Sequence, residues 1–236
     1  MAKRAGSETL AVSVYEQLRS AILNGRLQPG ERLKPAELCA ELDVSLGVMR
    51  EALGLLAAQN LVTIDRNRGC QVVSLSPEAL RNLTATRKIV EGAALRLSVQ
   101  HGGVTWESDI LAAHHRMASL PMMQPDDPGS RNAEWAHAHI DFHAKLIAAC
   151  DNPVLLDICA RLSDSAELYR TWSGLNGREL HRDIVGEHRA LLEAALAHRV
   201  DQAVELFEAH IERTQAFVLD IDLPQEPQEP QANLTA

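Results

Sequence analysis

Aromatic side chains are scarce in this chain: Phe, Tyr and Trp together make up 3% of 236 residues. Strands favour aromatic and β-branched residues. Their scarcity, with Ala and Leu supplying most of the apolar mass, leans the fold towards helix. No apolar run reaches the roughly 18 residues of a membrane-spanning helix. The N-terminus, Met1-Ala2-Lys3-Arg4 followed by Gly6-Ser7-Glu8-Thr9, lacks the apolar stretch of a secretion signal. Cysteine is sparse, and Cys39, Cys70, Cys150 and Cys159 show no CxxC spacing. Unpaired thiols fit a reducing cytoplasm and exclude a disulfide scaffold. What remains is ordinary globular composition, 46% hydrophobic and 23% charged, in a length that suits one or two domains. A disordered or collagen-like chain is excluded.

Charge divides unevenly. Residues 1–75 hold 9 Lys/Arg and 8 Asp/Glu, whereas residues 76–236 hold 14 and 24. The acidic part should not bind nucleic acid unaided; the first part can, where its cations gather on one face.

The first 75 residues read as helix, helix, helix, hairpin. Helical periodicity runs from Thr9 to Asn24. Pro35 opens a short helix to Leu42. Ser45 is a good N-cap for the next, which runs to Gln59. Leu61–Ile64 and Cys70–Val73 read as strands around a turn at 65–69. A linker over 76–78 follows. The segment 79–221 reads as helical throughout, with helices near 78–101, 105–119, 131–150, 153–172, 178–197 and 201–221. Leu120 to Ser130, rich in Pro, reads as a mobile loop. Residues 222–236 read as a disordered tail. The expected fold class is mainly α: an N-terminal winged helix-turn-helix (1–75) and a C-terminal all-helical bundle.

In a winged helix-turn-helix the second helix of the pair enters the major groove. Here that helix opens at Ser45, and Arg66 and Arg68 flank the wing turn beside Gly69, suited to phosphates or the minor groove. The alternative is a winged helix used for protein contacts, its arginines merely solvated. The run Ile22-Leu23-Asn24-Gly25-Arg26-Leu27-Gln28-Pro29-Gly30-Glu31-Arg32-Leu33, with Glu37-Leu38, Val44-Ser45, Arg50-Glu51-Ala52-Leu53, Asn60-Leu61-Val62 and Arg68-Gly69, resembles the GntR family of bacterial transcription regulators. The resemblance implies a homodimer on an inverted-repeat, double-stranded operator. Lys34, Ser45, Leu46, Gly47, Arg50, Arg66, Arg68 and Gly69 become the DNA-facing set. Three positions depart from the family's usual residues: Ala36 and Leu46 stand where Arg is usual, and Val48 where Pro is usual. An Arg at the start of a recognition helix commonly reads guanine, a contact worth about 1–3 kcal/mol of discrimination.

Ten histidines punctuate the chain. His139 and His143 are four apart on one expected helix, about 40° apart on one face. His188 and His210 fall near the apolar stripes of later helices. Facing helices can satisfy several buried imidazoles with one divalent ion, and such ligands suit Zn, Ni, Cu or Fe. The competing reading is surface histidines plus one core histidine bonded to a carboxylate. Phe142-His143, Leu146, Asn152-Pro153, Glu187-His188, Glu193-Ala194 and His210 resemble the FCD domain, the helical effector domain of FadR-type GntR regulators, in its shorter six-helix (VanR-like) form. That resemblance implies a transition metal, Zn or Ni first, held by His143, His188 and His210. His139 stands where the family has Asp; Asp141 points away round the helix. It also implies a small organic acid effector and a repressor released by it. Arg87 suits a carboxylate clamp, with a surface ion pair to Glu91 as its alternative. Tyr169 and His181 are further pocket candidates. His114, His115, His137 and His198 read as solvated or capping. A metal-responsive regulator, a metallo-enzyme and a purely structural metal site stay open as alternatives.

Overall fold

Helix α1 spans Ala2–Leu23 in the computed structural model, which describes residues 2–65, 69–172 and 182–220. It starts earlier than the sequence periodicity suggests. Ala11, Val14, Leu18 and Ile22 recur every three or four residues and are buried, which sets one face against the rest of the unit. Each such fully buried large side chain contributes about 1.5–3 kcal/mol. Gly25, at φ 73°, turns the chain out of α1, a left-handed cap that costs little without a Cβ. Helix α2 (Pro35–Leu42) starts at the expected proline, and α3 (Leu46–Ala58) at the expected Ser45 cap. From α3, Met49, Ala52, Leu53 and Leu56 meet the α1 stripe in one core.

The wing is a three-stranded antiparallel sheet, order β1-β3-β2, from Arg32–Leu33, Val62–Asp65 and Gly69–Val72. Strand β1 was not expected. It has two residues, too few to show a period, and pairs Leu33 with Cys70.

Ser76 caps α4 (Pro77–His101) by accepting from the Ala79 amide at 3.1 Å. Helix α5 (Val104–Ala118) returns at once, because Gly102 lets Trp106 lie over the chain; a Cβ there would meet the indole at 2.1 Å. The expected mobile loop at 120–130 is instead a hairpin, β4 (Met123–Gln124) with β5 (Asp127–Arg131). Its short, proline-bearing strands hide any alternation. Asn132 then caps α6 (Ala133–Ile147), which ends in a 3-10 turn over Ala148–Cys150. Helix α7 (Pro153–Trp172) and α9 (Val200–Leu219) complete the bundle with α8 (Ile184–Leu196), which starts at its Asp183 cap and not at 178. Arg182 and Asp183 precede that helix, while residues 173–181 and the tail lie outside the described residues. Leu95, Ile110, Phe142, Leu191 and Phe207 form the bundle core. No described helix is long and apolar enough to cross a membrane.

Helix α7 joins the two halves. Leu168 and Tyr169 pack into the winged-helix core. Asp164 takes Arg19 of α1 through both carboxylate oxygens, Nε at 3.0 Å. Thr171 Oγ1 donates to the Leu23 carbonyl at 2.9 Å.

Candidate metal centre and nucleic-acid face

Ser45 Oγ accepts from the Val48 amide at 3.4 Å and so caps the start of α3. Leu46, Gly47 and Arg50 are exposed there, and three- and four-residue spacing gives them one face. Lys34 reaches Glu37 at 2.8 Å, both largely exposed. A pair of that kind is worth about 0–1 kcal/mol, so Lys34 can exchange its partner for a phosphate. Gly69, at φ 84°, opens β3 opposite Asp65. Arg66 and Arg68 lie outside the described residues.

In the bundle, one buried face of α6 carries Trp135, Ala138, His139, Phe142 and Leu146. His143 follows one turn after His139. Helices α8 and α9 bring His188 and His210 against them. One ligand nitrogen from each of the four lies within 4.8 Å of the others. Nε2 of His143 is 3.2 Å from Nε2 of both His139 and His188. An imidazole nitrogen has one in-plane position, a lone pair or a proton. His143 Nε2 therefore cannot satisfy both neighbours by full hydrogen bonds. One cation satisfies all of them through lone pairs. Bonds of about 2.0–2.1 Å to a tetrahedral ion give N···N edges of about 3.3 Å, close to the observed spacing. Four nitrogen donors suit Zn or Ni and not Mg or Ca.

Burial, then the neighbouring imidazoles, hold His139, His143 and His188 well below the usual histidine pKa. Burial lowers His210 to about 4, with Glu187 opposing. All four rings are thus neutral near pH 7, the state that ligates. Glu187 Oε2 lies 2.8 Å from His210 Nδ1. Burial alone would raise Glu187, but hydrogen bonds from Arg182 and His210 hold its carboxyl well below the usual range. His139 stacks under Trp135, centroids 5.0 Å apart, and Arg131 lies over the other ring of that set at 5.2 Å from the indole. Arg131 and Arg170 both reach Glu167, at 2.5 and 2.8 Å, all three nearly buried.

Two cavities flank the cluster. One of 350 Å³ meets His143 and is lined by Glu91, Leu95, Leu156, Asp164 and Phe207. The other, of 190 Å³, meets His188 and Trp135 and is lined by His114, Met117, Met122 and Ile184.

The other expected site residues fall differently. Arg87 makes a bidentate pair with Glu91 at 2.7 and 3.0 Å, and both are buried, so the pair is neither a surface contact nor an open clamp. The Tyr169 hydroxyl, expected at the effector, instead bonds the Ser76 backbone at 3.3 and 3.4 Å, anchoring the linker. His181 lies outside the described residues. Asp141 pairs with Arg116 at 3.0 Å, away from the cluster. His198, expected solvated or capping, stays partly exposed and meets that expectation, bridging the Val99 carbonyl in the last turn of α4 and Glu107. His114, also expected solvated, has its Nε2 buried. Arg131, Glu167 and Arg182 were missed: the Arg131–Glu167 pair spans 36 residues and the Arg182–His210 contact 28, separations that leave no local pattern. The Glu187 role had a signal, since a carboxylate beside a ligand histidine is a common supporting group.

Comparison with known proteins agrees with this arrangement. The model of the FCD domain matches residues 82–213, and that of the bacterial regulatory proteins, gntR family, matches residues 10–72. The HTH-type transcriptional regulator BphR of Paraburkholderia xenovorans (strain LB400) is 35% identical over 219 residues, covering 93% of this chain and 89% of that one. The HTH-type transcriptional repressor GlaR of Escherichia coli (strain K12) is 32% identical over 200 residues, 84% and 90% of the two chains. The crystal structure of a GntR transcriptional regulator from Rhodococcus sp. RHA1 superposes with TM-score 0.70 at 25% identity, over 89% of this chain and 97% of that one.

Proposed function

The chain belongs to the GntR family of bacterial regulatory proteins, in the branch with an FCD domain, and from that premise we propose a ligand-controlled repressor. As a family member it is a DNA-binding transcriptional regulator and not an enzyme. In the proposed reading a homodimer places two α3 helices on an inverted repeat, residues 1–75 forming each reading head and 79–221 each sensor. Arg50 and Lys34, with Arg66 and Arg68, hold phosphates and so set position, while Ser45, Leu46 and Gly47 face base edges. A small organic acid bound at a Zn or Ni centre on His139, His143, His188 and His210 lowers DNA affinity.

One observation carries the sensor reading: four neutral imidazoles bring ligand nitrogens within 4.8 Å of one another in a buried site, with His143 Nε2 3.2 Å from Nε2 of His139 and of His188. When bound, the ion supplies a Lewis-acid position for a carboxylate. The protein's own residues orient the ligands: Glu187 holds the His210 tautomer, and Trp135 fixes the His139 ring. Ligand occupancy changes DNA affinity only where the ligand prefers one pose of the heads. Helix α7 is placed to carry that preference, since Asp164 and Thr171 hold α1 while the Arg170 charge acts on His139, His143 and His210.

A second reading has its own support. Four protein donors already complete a tetrahedron, as structural Zn sites do, so the ion itself could be the signal. Selection of bound duplexes from sheared DNA of the source organism, with and without chelator, tests both. Enrichment of one inverted repeat by the ion-loaded protein, lost on adding small acids, is the expected result. Loss on chelation, with no acid able to cause it, selects the metal-responsive reading. No enrichment under any condition overturns the proposal.

A further inference from the structure

The two cavities beside the histidine cluster differ in what they offer an anion. The larger is lined by Glu91, Asp164 and Arg19, and its one arginine is already held by Asp164. The smaller, 190 Å³, is walled by Met117, Met122, Trp135 and Ile184, and its polar lining is Arg182, Asp183 and His114, with His188 of the cluster. His114 comes from α5. Its ring meets Phe142 edge-on at 5.4 Å, and Phe142 in turn meets His188 at 5.6 Å. His114 Nε2 is buried with no hydrogen-bond partner. Arg131 Nε and Nδ1 of His139 and His143 are also buried and unpartnered among the described residues, but only His114 of these four residues lines the smaller cavity. A buried polar atom left unpaired costs about 1–3 kcal/mol, so His114 Nε2 calls for a partner that enters that cavity.

We propose that His114 is a specificity-determining residue, its Nε2 hydrogen-bonding the hydroxyl of a short hydroxy acid whose carboxylate is held at the histidine cluster. The inference rests on the acid-effector reading above. Three features set the ligand class. The cavity is below the ~300–1,000 Å³ of drug-sized sites, which limits the acid to roughly four to six carbons. Its walls are apolar on most sides, which favours a hydrocarbon spacer between the two polar ends. Burial and the nearby Arg189 and His115 hold the His114 ring below the usual pKa. A neutral imidazole both donates and accepts, which matches an uncharged hydroxyl. A second carboxylate would want a cation of its own there, and the arginine in this wall, Arg182, is already held by Glu187.

The test uses full-length, Ni-loaded protein and straight-chain monocarboxylates of four to six carbons, each paired with its hydroxy analogue. Calorimetry gives the affinity ratio within each pair. The wild type is expected to prefer the best-fitting hydroxy acid about tenfold, the size of one net hydrogen bond. His114→Leu should bring that ratio near one, with Ni content and affinity for the plain acid unchanged. His114→Gln, which keeps a donor and an acceptor, should restore the preference. A ratio unchanged in His114→Leu overturns the inference and leaves the acid reading intact. So does loss of Ni from that variant, which would make His114 part of the metal centre. If no acid binds the loaded wild type, the acid reading itself falls and this inference falls with it.

Discussion

Glu187 Oε2 lies 2.8 Å from Nδ1 of His210, and the same oxygen takes Arg182 at 2.5 Å. The carboxylate can only accept, so Nδ1 of His210 carries the proton and Nε2 presents its lone pair to the other three histidines. Arg182 also reaches the His210 carbonyl at 2.9 Å, tying α8 and α9 together at this point. Glu187→Gln keeps the shape but can donate to Nδ1 and so favour the wrong tautomer. Metal affinity should fall by about 10- to 100-fold, the usual cost of losing such a supporting group. Competition against a chromophoric chelator reads this directly; an unchanged affinity would place His210 outside the ligand set.

Acid should destabilise the metal-free protein. His210 titrates near 6.5 when unfolded and about 4 when folded, so between those values the unfolded chain binds more protons. Stability is then fully present above pH 6.5 and is lost as pH falls towards 4. One pKa unit is about 1.4 kcal/mol, which gives about 3 kcal/mol for this group alone, and His139, His143 and His188 shift in the same direction. Urea midpoints at pH 7 and pH 5, with chelator present, should differ accordingly. Saturating metal should raise stability at both pH values without removing the difference, because it holds only the folded rings unprotonated while the unfolded chain still takes up protons.

Glu167 sits between Arg131 and Arg170, itself only 4% exposed. Removing it leaves two buried guanidinium groups without that partner. Breaking a buried pair in this way costs roughly 3–5 kcal/mol. Glu167→Ala should therefore lose about that much in urea unfolding, while Asp141→Ala, on an exposed pair with Arg116, should change stability by less than about 1 kcal/mol.

Arg50→Ala should weaken DNA binding evenly across sequences, with metal content untouched. Each phosphate contact contributes a slope of about −0.9 to the plot of log affinity against log salt. The slope should drop by about one in the variant. A change in sequence preference at constant slope would instead make Arg50 a base reader. His188→Ala should do the reverse, losing metal while the salt slope of DNA binding by the full chain stays as in the wild type.

The winged helix was legible because its signals are local. Ser45, Pro35 and Gly25 each mark an element end by a cap or a backbone angle, and α3 starts where Ser45 says. The histidine set was legible because His139 and His143 share a helix face and the other two share apolar stripes. What was hidden is long-range or short. Strand β1 gains its identity only from pairing with β3, and the β4–β5 hairpin from delivering Arg131 to Glu167. Arg87 shows the limit plainly. Its four-residue spacing to Glu91 is visible in sequence, but that the pair is buried depends on α7 and α9 covering it. His114 and the neighbouring His115 look alike as a dipeptide, and only packing against Phe142 separates the half-buried ring from the exposed one.

The neutrality of the four imidazoles has a calorimetric consequence. A thiol or protonated histidine site must expel protons to take a cation, and those protons enter the buffer. Here none has to leave near pH 7. The heat of metal loading should then be the same in buffers of widely different ionisation enthalpy. Affinity should be flat with pH above neutrality, so cellular metal availability sets occupancy and cytosolic pH does not.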